Sequence, residues 1–159
     1  MGNRVVISSG IIIWKIEDGK VKFFVCSPGG PLWKNRQPCW NFPKGQLESD
    51  ESPFEGAVRE FTEETSIRPA SLIESDYTYH GIIKQRSNKS VHVFSRQWDG
   101  EELGGNCHSN IFRWKDGHEY PEIEKYQWLT YDEIYGNGVA AYYNIFKEIE
   151  VKALNKNNI

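Results

Sequence analysis

The first apolar stretches of the chain form a pair separated by a short polar turn. Residues 10–16 and 21–26 are rich in β-branched and aromatic side chains, and residues 17–20 between them include Asp18 and Gly19. Asp-Gly between two apolar runs is typical of a tight β-hairpin, because both residues tolerate positive φ. The pattern therefore predicts two antiparallel strands at the start of the fold.

The spacing of apolar residues changes to a helical period after residue 52. Ser52 suits the capping position of a helix, Pro53 the first helical position, and Glu55 the third position of a capping box. Four apolar residues then follow at i, i+3, i+4 and i+7: Phe54, Ala57, Val58 and Phe61. This period predicts an amphipathic helix whose apolar stripe packs on the core.

The remainder of the chain alternates between strand-like and helix-like segments. Strands are predicted at residues 75–84, 90–98, 111–114 and 126–129. A capping box at Thr130 predicts a short helix, and a final helix is predicted over residues 138–153. Hairpins alternating with helices are typical of a mixed sheet between helical layers. Because 159 residues can bury one core and little more, we expect a single α/β domain over residues 1–159.

Three glutamates lie on one side of the first predicted helix. At about 100° per residue, Glu60, Glu63 and Glu64 fall within an arc of roughly 100° beside the apolar stripe. Such a group is either an ordinary solvated helix face or a set of hard oxygen ligands for divalent cations. The acidic loop before the helix, residues 48–51, favours the ligand set, because Arg59 can fork onto Glu51 and fix this loop against the helix.

The segment from Gly45 to Ile67 resembles the Nudix box of the Nudix hydrolases, G-x5-E-x7-R-E-U-x-E-E-x-G-U, where U is a bulky apolar residue. Eight positions match: Gly45, Glu51, Arg59, Glu60, Phe61, Glu63, Glu64 and Ile67. The one departure is Ser66, where the family usually has a glycine that ends the helix in a left-handed conformation. Serine there costs about 1 kcal/mol of local strain and removes no ligand. The resemblance implies a MutT-like protein with the Nudix fold, an α/β/α sandwich with a mixed central sheet.

Further parts of the chain are similar to a bacterial branch of predicted NTP pyrophosphohydrolases within this family. The similarity covers the proline- and glycine-rich residues 27–33, residues 40–45, and residues 109–112 and 121–124 further along. The approach to the box is also similar to that of diadenosine polyphosphate hydrolases and inositol pyrophosphate phosphatases. These likenesses indicate a reaction type, the hydrolysis of a phosphoric anhydride, better than they indicate a substrate.

The resemblance implies a site for two or three Mg2+ or Mn2+ ions. The expected metal ligands are the backbone carbonyl of Lys44 and the side chains of Glu60, Glu63 and Glu64. Glu51 would hold Arg59 or a water-bound metal ion, and Arg59 would orient the carboxylates.

The general base is left open among three carboxylates. Some relatives use a box glutamate, here Glu60, and others use an acidic residue on a later loop, here Glu122 or Glu124. Glu122 ranks first because it follows Pro121 in the matching element. Both loop residues could instead be plain surface charge.

Aromatic and basic residues near the box are candidates for substrate binding. Trp33 and Trp40 flank residues 34–39, the loop before the box, and could stack on a nucleobase, or could equally pack in the core or the loop. Lys34 and Arg36 could hold distal phosphates, and Lys44 lies next to the box, although isolated exposed basic residues are usually solvated.

Composition adds limits on partners and location. The formal net charge of −3 argues against nonspecific nucleic-acid binding, but bound cations allow an acidic site to take a polyanion. No apolar run approaches the roughly 20 residues that cross a bilayer, so we expect no membrane segment. Three cysteines at irregular spacing suggest reduced thiols in a cytoplasmic protein. Nudix relatives are often dimers, so the resemblance leaves a homodimer open as one assembly, and the sequence does not fix the oligomeric state.

The sequence therefore predicts a metal-dependent enzyme that cleaves a pyrophosphate bond in a nucleoside diphosphate derivative. Dinucleoside polyphosphates and nucleoside triphosphates lead among the substrates. ADP-ribose is less expected, because the proline found about fifteen residues past the box in many such enzymes is replaced by Gly81 and Ile82. Hydrolysis of inositol pyrophosphates also stays open, as does a noncatalytic nucleotide-binding module, although such modules usually lose box glutamates that this chain keeps.

Overall fold

The computed structural model describes residues 4–100 and 102–157. Its eight strands are β1 Val6–Glu17, β2 Lys20–Pro28, β3 Lys44–Gln46, β4 Thr78–Arg86, β5 Lys89–Gln97, β6 Ile111–Arg113, β7 Glu119–Pro121 and β8 Ile123–Thr130. Its helices are α1 Pro53–Thr65, α2 Tyr131–Ile134 and α3 Tyr143–Asn157, with short 3-10 turns at Glu74–Asp76 and Ala140–Tyr142. The ends of the predicted domain, residues 1–3 and 158–159, lie outside the described residues.

The strands form one mixed sheet and a separate small hairpin. The main sheet has the order β4-β5-β1-β2-β8, and β3 pairs with β1 next to β2. Strands β1 and β5 are parallel, while the remaining pairs in this sheet are antiparallel. Within the residues that the structure describes, strands β6 and β7 form a separate two-stranded sheet. The predicted mixed sheet is confirmed.

Helices cover both faces of the sheet. Because side chains alternate along a strand, neighbouring residues of β1 enter different cores. Ile11 and Ile13 pack under α1 with Phe54, Ala57 and Phe61. Ile12 lies on the opposite face, in the core that α3 closes with Ile145, Phe146 and Ile149. This arrangement is the α/β/α sandwich that the sequence predicts.

Local chemistry explains most element boundaries. The β1–β2 turn places Asp18 and Gly19 at φ 54° and 76°, as an Asp-Gly hairpin requires. The capping box at Thr130 forms with Glu133. The predicted strand over residues 75–84 begins later, at Thr78, because residues 74–76 form a 3-10 turn. The last helix likewise begins at Tyr143 instead of residue 138. Within the described residues, no helix is long and apolar enough to cross a membrane.

Candidate active site

Helix α1 begins at the predicted residues, with Ser52 as its cap and Pro53 at its first position. Ser52 caps the helix by accepting a hydrogen bond from the backbone N–H of Glu55 at 3.2 Å, which is one half of the expected capping box. Ser9 of β1 donates its hydroxyl to the carbonyl oxygen of Pro53 at 2.6 Å. The contact from Ser9 connects the first turn of α1 to β1, the strand with which β3 pairs.

Gly45 allows α1 and β3 to approach each other closely. It pairs with Ser9 in the sheet, and the carboxylate of Glu60 lies directly against its Cα. A Cβ atom at this position would collide with both carboxylate oxygens of Glu60. The glycine of the box is therefore required by space, since its φ is not in the left-handed region.

Arg59 holds the acidic residues together. Its Nε and Nη2 donate to the two carboxylate oxygens of Glu51 at 2.7 and 2.9 Å, which is the predicted bidentate fork. Its Nη1 donates to Glu60 at 2.9 Å and to Glu63 at 3.2 Å, and its Nη2 also reaches the carbonyl of Gln46 at 3.0 Å. The hydrogen bond from Arg59 holds the pKa of Glu51 below its usual value. One guanidinium thus orders the loop, β3 and the helix face.

Two glutamates of this face are withdrawn from water. Glu64 is 8% exposed and accepts a hydrogen bond from the backbone N–H of Lys44 at 3.3 Å. Desolvation raises the pKa of Glu64 to about 8, and it also raises the pKa of Glu60. These buried carboxylates differ from a solvated helix face, because their environment disfavours the charged form unless a cation compensates it.

The described part of the chain holds no three His, Cys, Asp or Glu side chains already arranged as a metal-binding group. In this structure the Nη1 of Arg59 lies against both Glu60 and Glu63. Cations that bind here would replace Nη1 of Arg59 as the partner of Glu60 and Glu63. The Nε and Nη2 atoms of Arg59 would keep their hydrogen bonds to Glu51. The donor set fits Mg2+ or Mn2+ nonetheless, since it consists of oxygen atoms and two of its carboxylates are desolvated.

Glu122 reaches the same cluster from another element. It lines a cavity of 180 Å³ together with Glu64, and we call this cavity the acidic cleft; the rest of its lining consists of Cys26, Pro28, Asn41, Phe42, Lys44 and Ile123. Desolvation and the charge of Glu63 raise the pKa of Glu122, and its own charge acts on Glu60 and Glu64. Among the two loop carboxylates considered as bases, the structure brings Glu122 to the cluster.

A second cavity adjoins the acidic cleft at Pro28, which lines both. We call it the basic pocket; it has a volume of 250 Å³ and is lined by Trp33, Lys34, Arg36, Lys125 and Glu124, among others. The Arg36 guanidinium lies over the Trp33 ring at 5.7 Å from its centroid. The pocket therefore carries three cationic side chains and one carboxylate, and it contains Glu124, the second loop candidate.

Two further predicted substrate-binding residues, Trp40 and Lys44, lie outside the basic pocket. Trp40 packs against the core under α3, and its backbone N–H donates to the carbonyl of Asn137 at 2.8 Å. The side chain of Lys44 leaves β3 on the same face as Phe42, opposite to the face where Gly45 meets α1. Burial and the nearby Lys89 lower the pKa of Lys44 to about 8. Lys44 thus lines the acidic cleft and donates its backbone N–H to Glu64.

Three further residues near the site are not among the predicted site residues. Lys125 enters the basic pocket because β8 pairs with β2, where it opposes Ser27. Tyr126 donates its hydroxyl to the carbonyl of Glu64 at 2.5 Å. Asn110 contacts both α1 and Glu122. All three depend on strand or loop pairings between distant parts of the chain, which a local pattern does not reveal.

Comparison with known proteins agrees with this geometry. The family model described as NUDIX domain matches residues 8–149. The RNA pyrophosphohydrolase of Shewanella denitrificans is 30% identical over 122 residues, covering 70% of this chain and 69% of that protein.

Two solved structures share the fold. The C. elegans Ap4A hydrolase in a binary complex has a TM-score of 0.61 at 18% identity and covers 95% of this chain and 99% of that chain. The NUDIX domain of Shewanella oneidensis NrtR, complexed with ADP ribose, has a TM-score of 0.65 at 10% identity and covers 96% and 90%. With the box residues gathered around Arg59 and the family model spanning most of its length, the chain belongs to the Nudix family of hydrolases.

Proposed function

We propose that this chain is a metal-dependent pyrophosphohydrolase that cleaves a pyrophosphate bond in a nucleoside diphosphate derivative. The observation that carries the proposal is the group of carboxylates at the acidic cleft. Glu64 and Glu122 line the cleft, and Glu60 lies beside it on α1, where its charge acts on Glu64. Desolvation raises the pKa of both Glu60 and Glu64. Such a concentration of negative charge beside a cavity is unfavourable for the protein alone and suits a site that binds cations.

Glu60, Glu63 and Glu64, with the backbone carbonyl of Lys44, would hold two or three Mg2+ or Mn2+ ions. When bound, these ions would offset negative charge on the phosphate oxygens and lower the pKa of a coordinated water. Arg59, kept in place by its bidentate contact with Glu51, would hold Glu60 and Glu63 in one group until the ions take over those two contacts.

Glu122 is the proposed general base. Its carboxylate would accept a proton from the water that attacks phosphorus, after which the anhydride oxygen leaves with the second phosphate. The pKa of Glu122 is raised by desolvation, which brings it closer to neutral pH and makes the carboxylate a better proton acceptor. Glu60 remains the alternative base, because its carboxylate lies in the same cluster.

The basic pocket supports a polyphosphate substrate. Lys34, Arg36 and Lys125 provide positive charge next to the acidic cleft, where phosphates beyond the cleaved bond would extend. The ring of Trp33 could stack on the nucleobase of the substrate, although the Arg36 guanidinium lies over one face of the ring in this structure. A nucleoside triphosphate or a dinucleoside polyphosphate fits this charge distribution better than ADP-ribose, whose diphosphate is followed by a neutral sugar.

The relatives widen the set of substrates worth testing. The matched bacterial relative is named an RNA pyrophosphohydrolase, which favours the triphosphate end of an RNA as a second candidate substrate. Two structural neighbours are an Ap4A hydrolase and a domain complexed with ADP ribose. The overall charge of −3 argues against tight binding along an RNA chain, so only its 5′ end would be engaged.

The test is a panel of substrates assayed in Mg2+, and the measurement is the release of the two phosphorylated products of each cleavage. The panel contains diadenosine tetraphosphate, nucleoside triphosphates, a 5′-triphosphate RNA, ADP-ribose and an inositol pyrophosphate. Glu63→Gln is the test variant, and Glu55→Gln is the matched control, since Glu55 is exposed on the same helix outside the cluster. We expect turnover that Glu63→Gln reduces at least about a hundredfold and Glu55→Gln leaves intact. Equal turnover in Glu63→Gln would refute the metal assignment, and binding without turnover would favour a noncatalytic module.

A further inference from the structure

The last turn of α1 carries two of the proposed metal ligands, and its four terminal carbonyl groups have no partner within a regular helix. In this structure all four accept hydrogen bonds. The carbonyl of Thr62 receives the N–H of Ser66 at 2.7 Å, and that of Glu64 receives the hydroxyl of Tyr126 at 2.5 Å. The carbonyls of Glu63 and Thr65 receive N–H groups from a distant loop, those of Asn110 at 3.0 Å and His108 at 3.1 Å.

Ser66 strengthens this attachment. It occupies the left-handed position after α1, with φ 62°, as the box pattern predicts for its usual glycine. Its hydroxyl donates to the carbonyl of His108 at 2.6 Å. The residue that departs from the box therefore adds a bond that glycine cannot make, and this bond fastens the loop to the end of the helix.

Asn110 connects this attachment to Glu122. Its N–H donates to Glu63 of α1, and its carbonyl accepts the N–H of Glu122 at 3.0 Å. Its side-chain Nδ2 donates to Oε1 of Glu122 at 3.5 Å. The neighbouring Ser109 makes a parallel connection, since its hydroxyl accepts the N–H of Ile123 at 2.9 Å. Asn110 is thus bonded to the helix that carries the metal ligands and to the proposed base.

We infer that Asn110 is a positioning residue, which fixes the carboxylate of Glu122 relative to Glu60, Glu63 and Glu64. Its backbone sets the distance between the loop and α1, and its amide group sets the orientation of the Glu122 carboxylate. This role rests on the pyrophosphohydrolase activity proposed above. A positioning residue acts through the group that it holds, here Glu122, so the removal of its amide affects the chemical step more than substrate binding.

The test is a double-mutant cycle between Asn110 and Glu122 in Mg2+ with the best substrate of the panel. Asn110→Ala keeps the backbone bonds and removes only the amide, and Asn110→Asp keeps the shape but places a carboxylate against Glu122. The matched control is Asn106→Ala, because Asn106 lies in the same loop and donates to the carbonyl of Glu102 at 2.7 Å. Thermal unfolding of each variant accompanies the kinetics.

We expect Asn110→Ala to lower kcat about tenfold and leave KM within about twofold, because a misplaced catalytic group slows the chemical step. Asn110→Asp lowers kcat at least as far, and Asn106→Ala leaves it unchanged. In a Glu122→Gln background, Asn110→Ala has no further effect on kcat, since both changes act through one carboxylate.

The positioning role would be overturned, while the activity stands, if the loss of kcat in the double variant equalled the product of the losses in Asn110→Ala and Glu122→Gln. An unchanged kcat in both Asn110 variants would overturn it as well. A loss of kcat matched by a fall in the folded fraction would assign Asn110 to stability alone. No turnover by the wild type on any substrate would overturn the proposed activity and this role with it.

Discussion

Glu64 provides a stability test of the acidic cleft that needs no substrate. Desolvation raises its pKa to about 8 from the reference value of 4.5. Because the folded-state pKa lies above the unfolded value, folding favours the protonated carboxyl. The stability from this group is fully present below pH 4.5 and is lost as the pH rises toward 8.

The size of this loss follows from the two pKa values. They are separated by about 3.5 pH units, and one unit corresponds to about 1.36 kcal/mol, so the full loss is on the order of 5 kcal/mol. Roughly 3 kcal/mol of it is lost by pH 7. Glu60 and Glu122, whose pKa values are also raised by desolvation, add to the loss in the same direction.

The assay is urea unfolding in EDTA at several values between pH 5 and 8, for the wild type and Glu64→Gln. We expect the free energy of unfolding of the wild type to fall across this range, and that of the neutral variant to fall much less. Mg2+ should restore the wild type most at high pH, because it binds the ionised carboxylate. Parallel pH profiles for the two proteins would refute the desolvated state of Glu64, and an absence of stabilisation by Mg2+ would refute its role as a ligand.

Three further substitutions test separate parts of the site. Arg59→Lys should lower stability by about 2 kcal/mol in denaturant unfolding and reduce kcat, because an ammonium group cannot make the fork to Glu51; unchanged values would remove Arg59 from its organising role. Gly45→Ala should reduce turnover, because its methyl group displaces the Glu60 carboxylate, and full turnover would contradict the close packing. Lys125→Ala should raise KM severalfold for triphosphates and leave it unchanged for ADP-ribose, whereas an equal rise for both would contradict the basic pocket.

Local patterns in the sequence predict the parts of the fold that depend on near neighbours. The β1–β2 hairpin, the start of α1 at Ser52, the capping box at Thr130 and the fork between Arg59 and Glu51 all follow from residues within about one or two turns of each other. The alternation of hairpins and helices predicts that the sheet contains both parallel and antiparallel pairs. Strand β7 is not predicted, because its three residues are recognised as a strand only by their pairing with β6.

The parts that the sequence does not predict depend on contacts between distant segments. The sequence makes Trp40 a candidate for stacking on a nucleobase, but its side chain packs against the core under α3. The direction of the Lys44 side chain follows from which face of β3 meets α1. Lys125 and Asn110 enter the site through the β2–β8 pairing and the loop that closes the end of α1. Each of these depends on register, which a pattern of residue types leaves open.

The most direct test of the central claim is the rate of product release from one hydrolysed substrate while Mg2+ is titrated from EDTA upward. We predict no turnover in EDTA, saturable activation by Mg2+, and a large loss of that activation in Glu64→Gln. Full turnover in EDTA, or identical Mg2+ dependence in the wild type and Glu64→Gln, would contradict the assignment of this carboxylate cluster to metal-dependent cleavage.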